Sequence, residues 1–192
     1  SAGDLVTSGT AFLDAAASFS TGDGISNGGQ SRTPICRLPN VEHNEQSFPL
    51  LVLYRKEVVD SGGAGRWRGG LSAETCFIPH RTQVITHDTL SSGNAIPTST
   101  GMMGGYPATV NVYKFKRDTD IRERLDRREM IGDFAEVQGT HAELQLRQEN
   151  FPQHLPDVYS VISTAAGGFG DPLERDPARV HKDVVENRAV SR

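Results

Sequence analysis

The sequence is poor in cysteine and tryptophan, and it has no excess of positive charge. Its 192 residues include two cysteines and one tryptophan, and 20 Lys and Arg stand against 24 Asp and Glu, a formal net charge of −4. A strongly basic protein attracts nucleic acid or an acidic membrane over a long range, and this composition does not. We therefore expect neither nucleic acid nor a membrane among its partners.

Signals for membrane insertion and secretion are lacking as well. No apolar run approaches the roughly eighteen residues that a transmembrane helix needs. The two cysteines, Cys36 and Cys76, follow no recognisable secretion signal. Disulfides are rare in the cytoplasm, so we expect a cytoplasmic protein in which both thiols are reduced.

Short motifs that mark many enzyme and metal sites are also absent. The sequence has no phosphate-binding loop ending in Gly-Lys-Ser/Thr, no CxxC or HExxH metal motif and no GxSxG nucleophile turn. Cys76 and His80 are four residues apart, but on a strand this spacing does not bring two ligands together. His87 and Asp88 are adjacent, and adjacent strand residues point to opposite faces. The sequence thus assigns no catalytic residue, no cofactor-binding residue and no metal ligand.

Most of the regular structure is predicted to be short β-strands. A short helix is predicted around 12–17, and polar or Gly- and Ser-rich composition predicts loops over 20–34 and 40–47. The simplest interpretation of 48–80 is a strand that is followed by a glycine-rich turn and a second strand. Apolar, β-branched or alternating patterns predict strands at 48–59, 71–80, 82–90, 108–116, 141–148 and 157–164.

The clearest local signal lies near the end of the sequence. Asp176 stands where an N-cap belongs and Pro177 at the first helical position, which predicts a helix over 177–187. We expect the apolar stripe of this helix to pack on the body of the domain or on a neighbouring subunit. The stripe consists of Val180, Val184 and Val185.

Another helix is predicted over 118–132, where charges of both signs indicate a solvated face. Its apolar side carries Ile121, Leu125 and Met130. Strands still dominate the pattern. The sequence therefore predicts an α+β fold that is rich in mostly antiparallel strands, with glycine-rich loops, one exposed charged helix and a C-terminal helix.

The stretch DSGGAGRWRGG at 60–70 combines five glycines, two arginines and the tryptophan. One interpretation is a constrained turn in which glycine allows close backbone approach, and the arginines brace carboxylates or a partner subunit. The other is that the arginines and free backbone N–H groups bind an anionic substrate or intermediate. Arg66 and Arg68 are therefore the candidate substrate-binding residues.

Three motifs resemble those of the hydantoinase B/oxoprolinase family. DSGGAGRWRGGLS at 60–72 is similar to the signature DSGGAG-aromatic-RGGLG, and GGYPAT at 104–109 resembles an intervening GGxPG segment. AAGGFGDPLERDPARVHKDVVENRAVS, which ends at Ser191, is similar to the closing family motif GGGxGDPLERDPxxVxxDVxxGxVS. The resemblance covers about 40–192, so we expect a loop-rich arm over 1–39 and a hydantoinase B-like C-terminal domain over 40–192.

The chain departs from the family pattern at three places. Ser72 stands where the family commonly has glycine, Ala165 and Ala166 replace part of a glycine run, and the charged helix over 118–132 lies in an insertion. The N-terminal two-thirds, in which the family's metal-binding residues are expected, is missing. We therefore carry no metal ligand over to this chain, and we expect a hydantoinase B-type protein divided into separate chains.

The family comprises ATP-dependent enzymes that carboxylate ketones or open cyclic amides. The resemblance implies a subunit, or the C-terminal piece of a subunit, of a multi-subunit carboxylase of the acetophenone carboxylase type, where it completes the substrate-side module. Expected partners are a hydantoinase A-type subunit and the remainder of the hydantoinase B-type protein, with a small ketone or cyclic amide as substrate. ATP and a divalent metal are the expected cofactors, bound mainly by other chains or regions.

Two other functions stay open at this point. One is an ATP-dependent hydantoinase, oxoprolinase or lactamase that hydrolyses a cyclic amide. The other is a structural subunit that holds an assembly together and contributes no residue to an active site. Under each of these hypotheses we expect the isolated chain to be inactive.

Overall fold

The computed structural model describes residues 18–26, 40–90, 93–145, 147–186 and 189–191. The helices in these ranges are α1 (Val41–Ser47), α2 (Ile121–Asp126) and α3 (Pro177–Val185). Among them, none is long and apolar enough to cross a membrane. The strands are β1 (Leu50–Glu57), β2 (Ala73–Pro79), β3 (Val84–Leu90), β4 (Val112–Arg117), β5 (Thr140–Ala142), β6 (Arg147–His154) and β7 (Val158–Ile162).

Five strands form one antiparallel sheet in the order β1-β2-β7-β4-β5, and β3 pairs with β6 in a separate antiparallel ribbon. The predicted α+β fold with mostly antiparallel strands is confirmed. β2 and β7 lie at the centre of the sheet, and every residue of both strands is buried. They do not alternate between buried and exposed positions because other elements cover both faces.

The segment 121–137 covers one face of the sheet. Its apolar side chains pack against those of the strands in a single core. Lys116 on β4 fastens this cover, because its buried Nζ donates to the carbonyl oxygens of Phe134 at 2.9 Å and Val137 at 2.6 Å. The core on this face consists of Leu53, Cys76, Ile78, Ile121, Ile131, Phe134, Val137 and Val158.

The helix predicted over 118–132 is shorter than expected. Only Ile121–Asp126 is helical, and Arg128 adopts a left-handed backbone with φ 61° that ends the helical path. Ile121 is buried as its position in the pattern indicates, whereas Met130 is 79% exposed. Ile121, Leu125 and Ile131 of this region pack on the sheet, and Met130 does not.

The ribbon of β3 and β6 covers the opposite face. Ile85 and Phe151 from the ribbon pack on a core that contains Phe77, Phe115 and Tyr159 from the sheet. The rings of Phe115 and Phe151 meet edge to face, with centroids 4.8 Å apart. Edge-to-face contact of this kind adds about 1 kcal/mol beyond burial, so aromatic packing holds the two sheets together.

Two predicted elements differ from the structure near the ribbon. The strand predicted over 141–148 is the end of β5 followed by the first residues of β6, so most of β6 was not predicted. The strands predicted at 82–90 and 108–116 exist as β3, which pairs with β6, and β4, which pairs with β5 and β7. Partners distant in sequence decide this pairing.

The start of α3 was predictable from its own residues, and the presence of α1 was not. α3 has the predicted caps, since the Asp176 carboxylate accepts a hydrogen bond from the Ala178 N–H at 2.9 Å. Residues 40–47, predicted as a loop, instead form α1, which the Asn40 side chain caps. The helix predicted around 12–17 and the cysteine Cys36 lie outside the described residues.

Three glycine-rich segments, 62–70, 101–106 and 166–170, lie against one another, and we call them the glycine layer. They follow β1, β3 and β7 and are joined pairwise by backbone hydrogen bonds. One bond for each pair runs from Trp67 N to Phe169 O (3.0 Å), from Tyr106 N to Ala64 O (2.7 Å) and from Met102 N to Gly168 O (2.9 Å). Backbone N–H groups of this layer are thus engaged within the chain.

Close backbone approach explains the glycines of the layer. A Cβ atom at Gly69 would collide with the Ala166 carbonyl, and one at Gly168 would collide with the Ala64 carbonyl. These contacts are with backbone atoms, which cannot rotate away as a side chain can. The glycine-rich signature of the sequence is therefore a packing requirement.

The burial of His87 predicts that acid destabilises the folded state. Its Nε2 lies 2.7 Å from the Gln153 Oε1, and burial lowers its pKa more than Gln153 and the charge of Asp88 raise it. The unfolded chain therefore binds a proton first as the pH falls below about 6.5, and stability is lost with a slope of at most about 1.4 kcal/mol per pH unit. We expect His87→Gln to flatten this slope in urea unfolding, and the exposed His181→Gln to keep it. An unchanged slope in His87→Gln would contradict the assignment.

The glycine layer predicts that replacing a glycine by alanine lowers the free energy of unfolding more inside the layer than outside it. Gly69→Ala should lower the free energy of unfolding by about 3 kcal/mol, because the new methyl group displaces a backbone carbonyl. Gly22→Ala is the matched control, since a Cβ there meets nothing within 4 Å, and it should change stability by less than about 1 kcal/mol. Chemical denaturation of both variants measures the difference. Equal effects would show that the layer tolerates side chains.

Candidate functional site

The two predicted site residues flank Trp67 on the glycine layer, and Arg66 is the more accessible. The Arg66 side chain is 54% exposed, and its Nη1 lies 3.7 Å from the Glu174 Oε2. The guanidinium of Arg179 stacks on Trp67, 4.6 Å from the centroid of the ring. An exposed guanidinium beside an aromatic ring can bind a carboxylate or phosphate through paired hydrogen bonds.

Arg68 lies deeper and has partners within the chain. Its side chain is 12% exposed, and its Nε and Nη2 lie 3.3 Å and 3.4 Å from the two carboxylate oxygens of Asp183. Its Nη1 donates to the Gly69 carbonyl at 2.7 Å, and its backbone N–H donates to Asp23 at 2.7 Å. Arg68 therefore connects the glycine layer to α3 and to the segment 18–26.

A second arginine completes what we call the arginine–aspartate network: Asp23, Arg68, Arg175 and Asp183. Arg175 donates to Asp23 at 2.7 Å and 3.1 Å and to Asp183. Burial raises the pKa of Asp23, but the hydrogen bonds from Arg175 and the Arg68 backbone outweigh burial and lower it overall. Two positive and two negative charges of the network thus compensate one another, as partly buried charges require. Arg179, which is 46% exposed, adds a contact of 3.5 Å to Asp23 from outside the network.

The sequence did not reveal the two aspartates of this network. Asp183 is 3% exposed and is the buried residue of α3, whereas Val180 and Val185 are 42% and 50% exposed. We expected the valine stripe to pack on the body of the domain or on a neighbouring subunit. In the structure Asp183 is the residue of α3 that is buried against the domain, and packing of the stripe on a neighbouring subunit stays a prediction. The local sequence gave one indication of the role of Asp183, which is that this acidic residue interrupts the apolar stripe of α3.

A polar cavity of about 260 Å³ lies beside the network. Arg68 and Glu57 supply its charged groups. The cavity is lined by Ser26, Glu57, Arg68, Leu71 and Ala189.

A second charged cluster, not predicted from the sequence, lies on the sheet around Glu74. The buried Glu74 carboxylate accepts hydrogen bonds from Ser160 at 2.6 Å, Tyr54 at 3.0 Å and Lys114 at 3.3 Å. Lys56 lies 3.5 Å from its other oxygen. Burial raises the pKa of Glu74, but these hydrogen bonds and the charge of Lys114 lower it overall. The carboxylate therefore stays ionised between two lysines, which suits a structural ion pair across four strands.

The chemistry of the remaining polar groups is limited. Burial raises the pKa of Cys76 to about 12, so its thiol stays protonated at neutral pH and is a poor nucleophile. Within the described ranges, no three His, Cys, Asp or Glu side chains converge to hold a metal ion. The exposed guanidinium of Arg66 suits the binding of an anion more than proton transfer or covalent catalysis.

Comparison with known proteins shows a clear relationship. The profile of the hydantoinase B/oxoprolinase family matches residues 10–172. The chain is 27% identical to the acetophenone carboxylase delta subunit of Aromatoleum aromaticum over 159 residues, which is 78% of this chain and 23% of that protein. It is also 27% identical to the acetone carboxylase alpha subunit of Xanthobacter autotrophicus over 183 residues, 84% of this chain and 22% of that subunit. The chain thus spans about a quarter of the length of these relatives.

Solved structures share the fold. A nucleotide-free structure of an ATP-dependent acetone carboxylase superposes with a TM-score of 0.77 at 26% identity, over 93% of this chain and 25% of the other. The ATP-dependent caprolactamase of Pseudomonas jessenii superposes with a TM-score of 0.69 at 21% identity, over 94% of this chain and 28% of the other. The motifs, the fold and the profile agree, and the chain belongs to the hydantoinase B/oxoprolinase family.

Proposed function

We propose that this chain forms part of the substrate-side, hydantoinase B-type component of an ATP-dependent ketone carboxylase assembly. The observation that carries the proposal is that both curated relatives, each 27% identical, are subunits of ketone carboxylases. The solved structure with 26% identity is also an acetone carboxylase. A hydantoinase A-type subunit would carry out phosphoryl transfer, and ATP and a divalent metal would be bound mainly by other chains or regions.

The exposed arginine surface of the glycine layer supports a role in handling anions. Carboxylation of a ketone at the expense of ATP would involve carboxyphosphate and a phosphorylated enol, both of which carry negative charge. Arg66 presents a largely exposed guanidinium, and Arg68 borders the polar cavity. We propose that Arg66 contacts such an intermediate and that Arg68 holds the layer in position beneath it.

Opening of a cyclic amide is the second candidate reaction. Its support is the shared fold with the ATP-dependent caprolactamase, which is 21% identical. A purely structural role is the third candidate, and the internal pairing of Arg68 with Asp183 favours it. The three candidates make different predictions for the assembled complex.

Bicarbonate dependence separates the two reactions. We expect ATP hydrolysis by the complex purified through a tag on this chain to require both bicarbonate and a ketone. ATP hydrolysis that required a cyclic amide and ignored bicarbonate would identify an amidohydrolase instead. Isotope-labelled bicarbonate appearing in a ketone-derived acid is the direct measurement.

Two arginine substitutions separate a site role from a structural one. Arg66→Ala should lower turnover of the complex at least about tenfold, which corresponds to about 1.4 kcal/mol in the barrier, while stability stays within about 0.5 kcal/mol. Arg68→Ala should lower the free energy of unfolding by about 2 kcal/mol, because Asp183 keeps only one of its two arginine partners. Arg147→Ala is the matched exposed control, since Arg147 pairs only with Glu149 on the surface in the ion pairs described. Full turnover in Arg66→Ala would exclude a substrate contact at this residue.

A further inference from the structure

The segment 18–26 lies along the glycine layer, and we call it the strap. Hydrogen bonds attach it to the layer and its flank, from Ser18 to Gly167 (2.9 Å), from Gly24 to Arg68 (2.7 Å) and from Leu71 to Ser26 (3.1 Å). Its two large apolar side chains face solvent, since Phe19 is 50% exposed and Ile25 is 56% exposed, and Gly24 is the buried residue of the strap. A segment that buries so little apolar surface opens at a low cost in free energy.

Asp23 is the charged residue of the strap, and its carboxylate is surrounded by donors. Its Oδ1 accepts hydrogen bonds from the Arg68 backbone N–H at 2.7 Å and from the Arg175 Nη1 at 2.7 Å, and its Oδ2 accepts one from the Arg175 Nη2 at 3.1 Å. The Arg179 Nη1 lies 3.5 Å from Oδ2. A forked guanidinium, a backbone N–H and a second guanidinium are the groups with which proteins bind oxyanions. We call these groups of Arg68, Arg175 and Arg179 the donor set.

A carboxylate uses the donor set incompletely. The two oxygens of Asp23 are taken up by Arg175 and the Arg68 backbone, and the 3.5 Å contact with Arg179 is longer than an ordinary hydrogen bond. A phosphoryl group carries a third terminal oxygen, which can accept from Arg179 while the other two occupy the positions of the Asp23 oxygens. The donor set therefore fits a phosphoryl group more fully than it fits the carboxylate that fills it.

The local charge also favours a phosphoryl group. The guanidiniums of Arg68, Arg175 and Arg179 are joined by ion pairs to the carboxylates of Asp23 and Asp183, so one positive charge is in excess. Without Asp23, two positive charges would lack compensation in a poorly solvated place. A phosphoryl group carries about two negative charges at neutral pH, so in place of Asp23 it would compensate all three arginines.

We propose that the Arg68 backbone and the guanidiniums of Arg175 and Arg179 form a phosphoryl-binding site that Asp23 fills while the strap is closed. The strap and a bound phosphoryl group then exclude each other. Asp23 is tethered at a high effective concentration, so the strap sets the level of ligand at which the site is occupied. The ligand is free phosphate or the phosphate group of a small phosphorylated molecule. The site goes beyond the proposed function and does not depend on which reaction the assembly carries out.

Removing the carboxylate tests the site. The full chain with Asp23→Ala is titrated with inorganic phosphate, and the fluorescence of Trp67 reports binding because it is the only tryptophan and contacts Arg179. We expect phosphate to bind at least about tenfold more tightly than it binds the wild-type chain, since no carboxylate competes. Acetate at the same ionic strength should bind more weakly than phosphate. Ser20→Ala, an exposed position of the strap, is the matched control and should behave as the wild type. Equal phosphate affinities of Asp23→Ala and the wild type overturn the proposal.

Further substitutions in the Asp23→Ala chain locate the bound phosphate. Arg179→Ala should weaken phosphate binding at least about tenfold, because hydrogen bonds to a charged group are lost. Arg66→Ala should leave it unchanged, which separates this site from the substrate contact proposed for Arg66, and Arg147→Ala is the control for an exposed arginine. Isothermal titration calorimetry measures these affinities, since Arg179 also affects the fluorescence of Trp67. Phosphate binding that survives the loss of Arg179 overturns the site.

Hydrogen exchange tests the strap in the wild-type chain, without any substitution. Nuclear magnetic resonance resolves single amides, and the Gly24 and Leu71 N–H groups bond across the junction between the strap and the layer. With saturating phosphate, both should exchange at least about threefold faster than in chloride of the same ionic strength. The Arg68 N–H should stay protected, because the phosphoryl group accepts its hydrogen bond in place of Asp23. Exchange of Gly24 and Leu71 that phosphate does not accelerate overturns the proposal.

A second probe distinguishes the two sources of the phosphoryl group. Phenyl phosphate that binds the Asp23→Ala chain as tightly as inorganic phosphate assigns the site to a phosphorylated small molecule, and binding of inorganic phosphate alone assigns it to free phosphate. These results are independent of the reaction. If ATP hydrolysis by the complex requires a cyclic amide while Asp23→Ala binds phosphate, the carboxylase function fails and the site stands. If the complex carboxylates a ketone while Asp23→Ala binds no phosphate, the function stands and the site fails.

Discussion

The close approach of three backbone segments in the glycine layer is the constraint on which the rest of the structure depends. The segments follow β1, β3 and β7, so they gather strand ends from the sheet and the ribbon at one place. Carbonyl groups occupy the space where side chains would be, and hydrogen bonds between the segments are possible only at this separation. The signature DSGGAGRWRGG therefore reflects backbone packing, and Arg66 is its charged side chain that stays exposed to other molecules.

Electrostatics complements this backbone packing. The arginine–aspartate network fastens α3 and the segment 18–26 to the layer through four charges that cancel. Removing one charge leaves another without compensation in a poorly solvated place, so the network is sensitive to change although it carries no net charge. Glu74 with Lys56 and Lys114 follows the same principle across the strands of the sheet. Charge compensation, and not only apolar burial, determines how these elements are placed.

Local signals in the sequence were sufficient for elements whose own residues decide their structure. The helix after Asp176 and Pro177 and the antiparallel strands are of this kind. β6 was missed because its residues are mostly polar and include Pro152, so only its partner β3 defines it. The placement of Arg66 and Arg68 on one loop was predictable, but the pairing of Arg68 with Asp183 was not, since 115 residues separate them. Such pairings depend on contacts between residues that are far apart in sequence, and the local sequence pattern does not predict them.

The separation in sequence of the bonded segments also bears on how the chain folds. The bond from Gly63 to Ala166 closes a loop of about a hundred residues, and such contacts form slowly because the chain loses much entropy before it gains the contact. The pairing of β2 with β7 spans a similar separation in sequence, so the glycine layer and the centre of the sheet are expected to close together. The turn at 101–106 acquires its shape only when the layer closes, because Met102 donates to the Gly168 carbonyl. Any partner that binds there would select completed molecules, and assembly would itself discriminate against chains that have not finished folding.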